Sequence, residues 1–345
     1  MNIPALIANS ESMIVHGKGL LAMDESNATC NRRFADAGIA QSVEMRRAWR
    51  ELLLTAPGLS ECISGVILYD ETVRQESTGG QPFARLARDA GLMVGIKVDT
   101  GAKNLAGRPG EKVTEGLDGL RERLHAYVAM GASFAKWRGV IAVDQTQLPT
   151  TACIEANAHA LARYAALCQE AGLVPIVEPE VLMDGTHTQA RCQEVTEAML
   201  RSVFEQLARQ GAVLEALILK PNMVIAGLGC SAQNTAAEVA GATLQCLRRA
   251  VPAAVPGVMF LSGGQSAELA SSRLNALHAA NAPANGQRPP WTLSFSFARA
   301  LQQPALGLWS GQTANRAAAQ QALLKRARCN RAALLGEYSA ALEAL

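Results

Sequence analysis

Short, unbroken runs of apolar residues alternate along this chain with longer segments in which apolar residues recur at helical spacing. An unbroken apolar run is typical of a strand that is covered on both faces, so we predict that these runs are strands. The predicted strands are 19–24, 65–70, 92–98, 133–138, 173–180, 213–220, 257–261 and 291–297. The predicted helices are 1–18, 42–54, 82–90, 115–130, 152–171, 191–210, 235–250, 266–280 and 312–336.

The alternation of eight strands with helices determines the predicted fold. Parallel strands joined by crossover helices make an α/β protein, and eight such units favour a closed (β/α)8 TIM barrel. An open doubly wound sheet is the alternative, but the first turn lacks G-x-G-x-x-G and no strand carries the ribose-binding acid. We predict one barrel domain over residues 1–345, with an extra N-terminal helix, a loop at 281–290 and, after the C-terminal helix, a tail at about 337–345.

Composition and charge exclude several other classes. The 345 residues are 49% hydrophobic, and the formal net charge is +2 with acidic and basic residues interspersed. This balance predicts no general affinity for nucleic acid or an anionic membrane, and the apolar runs are too short to span a bilayer. The eight cysteines form no C-x-x-C pair, and no basic segment precedes a long apolar stretch at the N-terminus. We therefore expect a cytoplasmic protein with reduced core thiols.

Lys220 stands at the end of the sixth predicted strand and is followed directly by Pro221. Proline has no N–H to donate to a ladder and therefore ends the strand. An ammonium group at the end of a buried strand loses water, which lowers its pKa and favours the neutral, nucleophilic amine of Schiff-base enzymes. The alternative is a lysine that merely extends from the strand end into solvent. The residues at the other strand ends distinguish the two interpretations.

Polar or charged residues stand at the other strand ends as well. In a barrel these ends converge on one face, where the loops build the active site. So many partly buried charges on one face indicate a site rather than a solvated surface. The strand-end residues are Asp24, Asp70, Lys97 with Asp99, Lys136 with Arg138, Glu178 with Glu180, Ser262-Gly263-Gly264, and Ser296 with Arg299.

These residue types predict carbonyl chemistry on a phosphorylated substrate. A positive charge on Lys136 would favour the neutral form of Lys220. Glu178 can move protons while a carbinolamine loses water, and Asp24 can act as a base on a substrate hydroxyl. Residues 262–264 offer free backbone N–H groups to a phosphate.

A substrate with phosphate at both ends fits the remaining basic residues. Arg299 adds a bidentate anion partner beside the loop at 262–264. A second basic group comes from Ser26, Arg33 and Lys97.

The motifs that carry these residues resemble those of the class I fructose-bisphosphate aldolases, from about residue 10 to residue 335. The matching segments are 21–26 (LAMDES), 95–99 (GIKVD), 134–138 (FAKWR), 175–180 (PIVEPE), 219–223 (LKPNM) and 261–266 (LSGGQS). The resemblance implies a (β/α)8 barrel, usually a homotetramer, that works without a metal or other cofactor. It implies cleavage of fructose 1,6-bisphosphate to dihydroxyacetone phosphate and glyceraldehyde 3-phosphate, in glycolysis and gluconeogenesis.

The resemblance also implies roles for individual residues. It assigns Lys220 to the Schiff base, Glu178 to the proton transfers that form it, and Asp24 to the proton of the C4 hydroxyl. Lys136 orients substrate and stabilises charge, and Glu180 matches a carboxylate near the lysine. The residues that match phosphate-binding positions are Ser262, Gly263, Gly264 and Arg299 for the C1 phosphate, Ser26 and Lys97 for the C6 phosphate, and Arg33 and Arg138 near both.

This chain departs from the family pattern at three places. Ala298 stands where the family usually has glycine, and its methyl group is expected to crowd the phosphate or restrict the backbone. Thr29 replaces a serine but keeps the hydroxyl. The chain ends in Leu345, where many eukaryotic members end in a tyrosine.

Three other functions are weighed against this one. Metal-dependent aldol chemistry needs clustered histidines, and the five histidines form no H-x-H or H-E-x-x-H. His187 is interpreted as a surface-loop residue, and Asp70 and Asp99 as turn or ion-pair residues. A Schiff-base aldolase for another phosphorylated ketose and a non-catalytic barrel that binds sugar phosphates are the remaining alternatives.

Overall fold

Eight parallel strands close into a barrel in this computed structural model, which describes residues 1–281 and 289–344. Most of the predicted loop at 281–290, and Leu345, lie outside the described residues. The strands are β1 (Gly19–Ala22), β2 (Ile63–Leu68), β3 (Met93–Lys97), β4 (Gly101–Asn104), β5 (Lys112–Glu115), β6 (Phe134–Ile141), β7 (Val174–Val181), β8 (Ile218–Leu219), β9 (Gly257–Phe260) and β10 (Thr292–Phe297). All except β4 and β5 belong to the barrel, in which β10 pairs with β1, so the predicted (β/α)8 fold is confirmed.

Helices occupy the connections between the barrel strands. They are α1 (Ile3–Met13), α2 (Asn27–Asp36), α3 (Val43–Leu54), α4 (Asp70–Val73), α5 (Phe83–Asp89), α6 (Leu120–Ala129), α7 (Thr151–Glu170), α8 (Gln189–Arg209), α9 (Ala236–Ala250), α10 (Ala267–Ala280), α11 (Arg299–Trp309) and α12 (Arg316–Leu335). Several begin at a hydroxyl N-cap, and Thr235 with Glu238 forms a full capping box before α9. Such a cap contributes about 1 kcal/mol because it pairs an otherwise free N–H group. None of the described helices has the length and apolar character needed to cross a bilayer.

Two layers of apolar side chains stabilise the barrel. Leu20, Ile67 and Ile176 belong to the cluster that fills its interior, and Leu6 and Met13 of α1 join the same cluster. The alternate strand residues face outward and pack against the surrounding helices. Full burial of one such side chain contributes about 1.5–3 kcal/mol. The barrel is therefore a packed core, and its open space lies only at the strand ends.

The structure corrects two sequence predictions. Strands β4 and β5 form an antiparallel hairpin that was not predicted, and Glu115 pairs with Gly101 in it. The helix predicted over 115–130 therefore begins only at Leu120. The strand predicted over 213–220 is reduced to Ile218–Leu219, since residues 214–216 form a 3-10 turn. The side chain of Gln169 bonds to the backbone of this turn in place of a neighbouring strand.

Candidate active site

A cavity of about 830 Å³ opens at the carboxyl ends of the barrel strands. Every site residue proposed from the sequence lines it, although these residues come from widely separated parts of the chain. They are Asp24, Ser26, Arg33, Lys97, Lys136, Arg138, Glu178, Glu180, Lys220, Ser262, Gly263, Gly264 and Arg299.

Four buried side chains form a continuous chain of ion pairs in this cavity. Lys220 Nζ lies 3.0 Å from Glu178 Oε1, and Lys136 Nζ lies 3.1 Å from Glu178 Oε2. Lys136 Nζ also lies 2.7 Å from Asp24 Oδ2. None of the four side chains is more than 10% exposed. One carboxylate therefore bridges both lysines, and the other pairs with Lys136 alone.

The strand register brings these side chains together. β6 and β7 pair so that Arg138 lies beside Glu178. Lys136 precedes Arg138 by two residues and therefore points to the same side of the sheet. Lys220 directly follows β8, and its N–H donates to the carbonyl of Val177 on β7 at 2.8 Å. The lysine is thus fixed at the point where its strand ends.

The charges in this chain stabilise one another. Burial alone would lower the pKa of Lys136, but Asp24 and Glu178 raise it above its usual range. Burial would raise the pKa of Asp24, but Lys136 and Lys220 lower it to about 2. Burial also opposes ionisation of Glu178, and again the two lysines lower the pKa. Asp24 and Glu178 therefore both lie against Lys136, and the expected influence of Lys136 on Lys220 as a second positive charge stays a prediction.

The loop after β9 has the geometry of an anion-binding nest. Gly263 and Gly264 have φ angles of +52° and +86°, left-handed values that favour glycine and occur in the turns that form such nests. Arg299 Nη2 lies 3.1 Å from the position that a Cβ on Gly264 would occupy. A guanidinium group and a set of backbone donors therefore face the same part of the cavity.

The second basic group is already paired with carboxylates. Lys97 Nζ donates to Asp99 Oδ1 at 2.5 Å, which confirms Asp99 as an ion-pair residue. Arg33 pairs with Glu25. Ser26 is the N-cap of α2, and its hydroxyl accepts a hydrogen bond from the backbone N–H of Thr29 in this helix, which also carries Arg33.

Glu180 and Arg138 pair with each other. The carboxylate of Glu180 is buried, whereas 43% of the Arg138 side chain is exposed. Glu180 therefore shares the cavity with Lys220, but its ion partner is an arginine on the neighbouring strand.

Glu25 is a cavity residue that sequence reasoning left without a role. Its buried carboxylate forms ion pairs with Arg33 and Arg50, and Arg50 Nη1 lies 2.6 Å from Glu25 Oε2. The carboxylate also accepts a hydrogen bond from Gln302 Nε2 at 2.9 Å. Burial would raise the pKa of Glu25, but Arg50 and Arg33 lower it. Its position next to Asp24 was the one available signal, since two of its partners, Arg50 and Gln302, lie on other helices far along the chain.

The interpretation of His187 as a surface-loop residue is wrong. His187 is fully buried, and neither ring nitrogen has a hydrogen-bond partner within residues 1–281 and 289–344. Its carbonyl accepts a hydrogen bond from Gly227 N at 2.9 Å, so it lies between the loops that follow β7 and β8. Within the same residues, no cluster of histidine, cysteine or carboxylate side chains could hold a metal ion. The eight cysteines are free, and all but Cys230 are buried.

Ala298 has backbone angles φ of −104° and ψ of −87°, and this ψ lies outside the common helical and extended ranges. Its methyl group packs against the apolar cluster that fills the barrel. The negative φ does not by itself require glycine, and the expected crowding of the phosphate by the methyl group stays a prediction.

A closed parallel barrel whose strand ends carry a buried lysine beside a carboxylate, together with donors for anions, defines an enzyme of the barrel lyase class. The family model described as fructose-bisphosphate aldolase class-I matches residues 5–344. The chain belongs to the class I fructose-bisphosphate aldolase family.

Individual relatives agree with this assignment over almost their full lengths. The probable fructose-bisphosphate aldolase class 1 of Xanthomonas campestris is 54% identical over 98% of this chain and 99% of its own length. The cytosolic fructose-bisphosphate aldolase 6 of Arabidopsis thaliana is 47% identical over 96% of this chain and 91% of its own. Fructose-bisphosphate aldolase from Plasmodium falciparum, solved in complex with TRAP and a small-molecule inhibitor, has a TM-score of 0.94 and 44% identity, and the match covers 97% of this chain and 95% of that one.

Proposed function

We propose that this aldolase cleaves fructose 1,6-bisphosphate through a Schiff base on Lys220. The observation that carries the proposal is the chain of contacts from Lys220 through Glu178 and Lys136 to Asp24. It supplies a buried amine, a carboxylate in contact with that amine, and a second carboxylate held ionised by a lysine.

In the first step, the neutral amine of Lys220 attacks the C2 ketone of the open-chain sugar and forms a carbinolamine. Glu178 Oε1, at 3.0 Å from the nitrogen, takes the proton that Lys220 gives up on becoming neutral, and then donates it to the hydroxyl, which leaves as water. The product is an iminium ion. Its positive charge accepts electrons when the neighbouring carbon–carbon bond breaks.

In the second step, Asp24 takes the proton of the C4 hydroxyl and the C3–C4 bond breaks. The electron pair of that bond moves into the iminium and gives an enamine, while C4 leaves as the aldehyde of glyceraldehyde 3-phosphate. The low pKa of Asp24 keeps it ionised and ready to accept a hydrogen bond from the hydroxyl. Lys136, paired with Asp24 at 2.7 Å, stabilises the charge that develops. Protonation of the enamine at C3 and hydrolysis then release dihydroxyacetone phosphate.

Phosphate recognition is proposed at both ends of the substrate. Ser26 and Lys97 would bind the C6 phosphate, and Arg33 and Arg138 would lie near both phosphates. The residues that would bind the C1 phosphate are Ser262, Gly263, Gly264 and Arg299. The left-handed glycines and the exposed guanidinium of Arg299 favour this assignment for the first end. At the second end, Lys97 and Arg33 are paired with carboxylates, and the phosphate of a bound substrate would replace those carboxylates as their partner.

We further propose that the reaction needs no metal or other cofactor and that one barrel domain assembles as a homotetramer in the cytoplasm. The tail at about 337–345 would be an appendage of that domain. The cytosolic Arabidopsis relative supports the proposed location.

Steady-state cleavage in excess EDTA tests the proposed function. The kcat/KM for fructose 1,6-bisphosphate should be unaffected by EDTA and should exceed that for fructose 1-phosphate. Lys97→Met should reduce this preference because it removes a partner of the C6 phosphate alone, whereas Arg299→Met should impair both substrates. Loss of activity in EDTA, or equal use of the two ketoses, would contradict the proposal.

A further inference from the structure

Arg273, in the middle of α10, is a buried arginine without a carboxylate partner in the described chain. Its side chain is buried within the protein, at 3% exposure for the residue. Three other arginines are equally buried, and each forms a salt bridge: Arg46 with Glu71, Arg50 with Glu25, and Arg326 with Glu343. Arg273 forms none within residues 1–281 and 289–344, and its Nε also lacks a hydrogen-bond partner there.

An uncompensated buried charge is unfavourable for folding, so its retention needs an explanation. Burial lowers the pKa of Arg273 from its usual value. Replacement of Arg273 by a neutral side chain would remove the free-energy cost of burying this charge. A charge that destabilises the unliganded protein is expected to serve a ligand of opposite sign.

The contacts of Arg273 lead directly to the proposed C1-phosphate loop. Its Nη1 donates to Gln265 Oε1 at 2.9 Å, and Gln265 is the residue that follows Gly264. The N–H of Gln265 donates to the carbonyl of Ser262 at 3.1 Å and so closes the turn. The guanidinium is therefore held behind the loop, outside the set of residues that line the cavity.

A second contact ties Arg273 to the loop that follows Lys220. Its Nη2 donates to the carbonyl of Asn234 at 3.3 Å, and the side chain of Asn234 accepts a hydrogen bond from Ala226 N at 3.2 Å. One buried cation thus bridges the two loops that flank the Schiff-base lysine and the phosphate nest.

We propose that Arg273 is a positioning and electrostatic residue of the C1-phosphate site, whose missing counter-charge is the phosphate dianion of the substrate. The inference rests on the proposed function, because it takes residues 262–264 as a phosphate site. A charge in low-dielectric surroundings acts well beyond hydrogen-bond distance, so Arg273 attracts the dianion without touching it. Binding of phosphate then relieves the unfavourable charge of the unliganded protein.

Calorimetric titration with dihydroxyacetone phosphate tests this role. Arg273→Gln should weaken binding by roughly 10-fold, because one positive charge behind a dianion is lost. Arg273→Lys keeps the charge and should retain most of the affinity. Arg248→Gln removes one exposed positive charge from the adjacent helix α9 and serves as the matched control, with binding unchanged.

Thermal unfolding distinguishes this role from a merely structural one. Without ligand, Arg273→Gln should have a Tm equal to or above that of the wild type, and inorganic phosphate should raise its Tm less. Arg273→Met provides a second neutral variant should the glutamine protein not fold. A lower unliganded Tm with unchanged affinity in the neutral variants would overturn the proposal. If the wild type itself binds neither ligand, the proposed phosphate site fails, whereas wild-type binding that is insensitive to Arg273 refutes only this inference.

Discussion

At Asp24, burial and ion pairing act on one carboxyl group in opposite directions, and the ion pairs prevail. Its folded-state pKa of about 2 lies below the ordinary 3.8. A carboxyl group with a lowered pKa stabilises the fold fully above its unfolded pKa and loses that contribution as the pH falls through the folded pKa. The shift corresponds to about 2 kcal/mol of unfolding free energy.

The Asp24→Asn variant should therefore be about 2 kcal/mol less stable than the wild type near neutral pH. The difference should shrink as the pH falls from about 4 to about 2, because the wild-type carboxylate is then protonated. Urea unfolding at several pH values measures this directly. A stability difference that stays constant over the acid range would show that the ion pair with Lys136 does not hold Asp24 ionised.

The same variant separates cleavage from imine formation. Cleavage should fall by ~10²-fold or more, since a positioned base is removed. Imine formation with dihydroxyacetone phosphate should persist, because Glu178 still contacts Lys220. Loss of both reactions together would assign Asp24 to the first step.

Residue types at strand ends were sufficient to predict the cavity, because a barrel brings the ends of all its strands to one face. The charge balance inside the cavity was not predictable. Glu25 and the buried His187 depend on partners and loops that come together only in the folded chain. The backbone angles of Ala298 were not predictable either, because a sequence does not reveal the conformation of a residue just before a helix.

At the scale of elements, the C-terminal segment after α12 folds back onto the barrel helices. Tyr338 N–H donates to Asn275 Oδ1 at 3.0 Å, and its hydroxyl donates to Glu343 Oε1 at 2.7 Å. Glu343 also pairs with the buried Arg326 of α12. Arg326 in turn donates to the carbonyl of Ala267 at the start of α10 at 2.8 Å. The segment thus packs on α12 and α10, and Tyr338 is not among the residues that line the cavity.

We predict that Glu343→Gln lowers the unfolding free energy by about 2 kcal/mol, because it leaves the charge of Arg326 buried and unpaired. The figure is below that of a fully buried pair because Glu343 is partly exposed. Glu337→Gln, at an exposed position in the same segment, should have almost no effect. Equal stability of the two variants in urea would contradict the inferred role of the ion pair.

Removal of the segment from Glu337 onward should reduce turnover only modestly, by less than the ~10²-fold typical of losing a positioned acid or base. The measurements are cleavage rate and exchange of solvent protons into dihydroxyacetone phosphate. A collapse of exchange while imine formation at Lys220 persists would assign proton transfer to the segment and make Tyr338 the candidate group.

The helices that the sequence prediction missed have a composition that argues against a helix. α2 is predominantly polar and buries only Cys30 and Phe34. α11 contains Pro304 within its span, which argues against a helix in any sequence-based prediction. β8 is short because the backbone carbonyls of Val213 and Ala216, just before it, accept hydrogen bonds from the side chain of Gln169 and not from a neighbouring strand. Local sequence cannot indicate such an arrangement.

At the scale of the whole molecule, a near-neutral chain concentrates its charges in one place. The formal net charge is +2, and the cavity is lined by seven lysines and arginines together with seven aspartates and glutamates. The basic residues are Arg32, Arg33, Lys97, Lys136, Arg138, Lys220 and Arg299, and the acidic residues are Asp24, Glu25, Asp36, Asp99, Glu178, Glu180 and Asp184. The barrel fold brings the strand ends together on one face, and the family motifs place charged residues at those ends. Of the two buried lysines in this cavity, Lys220 is the one that we propose as the nucleophile.

Borohydride trapping with dihydroxyacetone phosphate, followed by peptide mapping, identifies the lysine that forms the imine. We expect a single labelled lysine, Lys220, in the wild type and no label in Lys220→Ala. Lys136→Met should slow cleavage without moving the label, because Lys136 is proposed to stabilise charge and not to form the imine. A label on Lys136 or Lys97 in the wild type, or trapping that survives in Lys220→Ala, would contradict the assignment of Lys220.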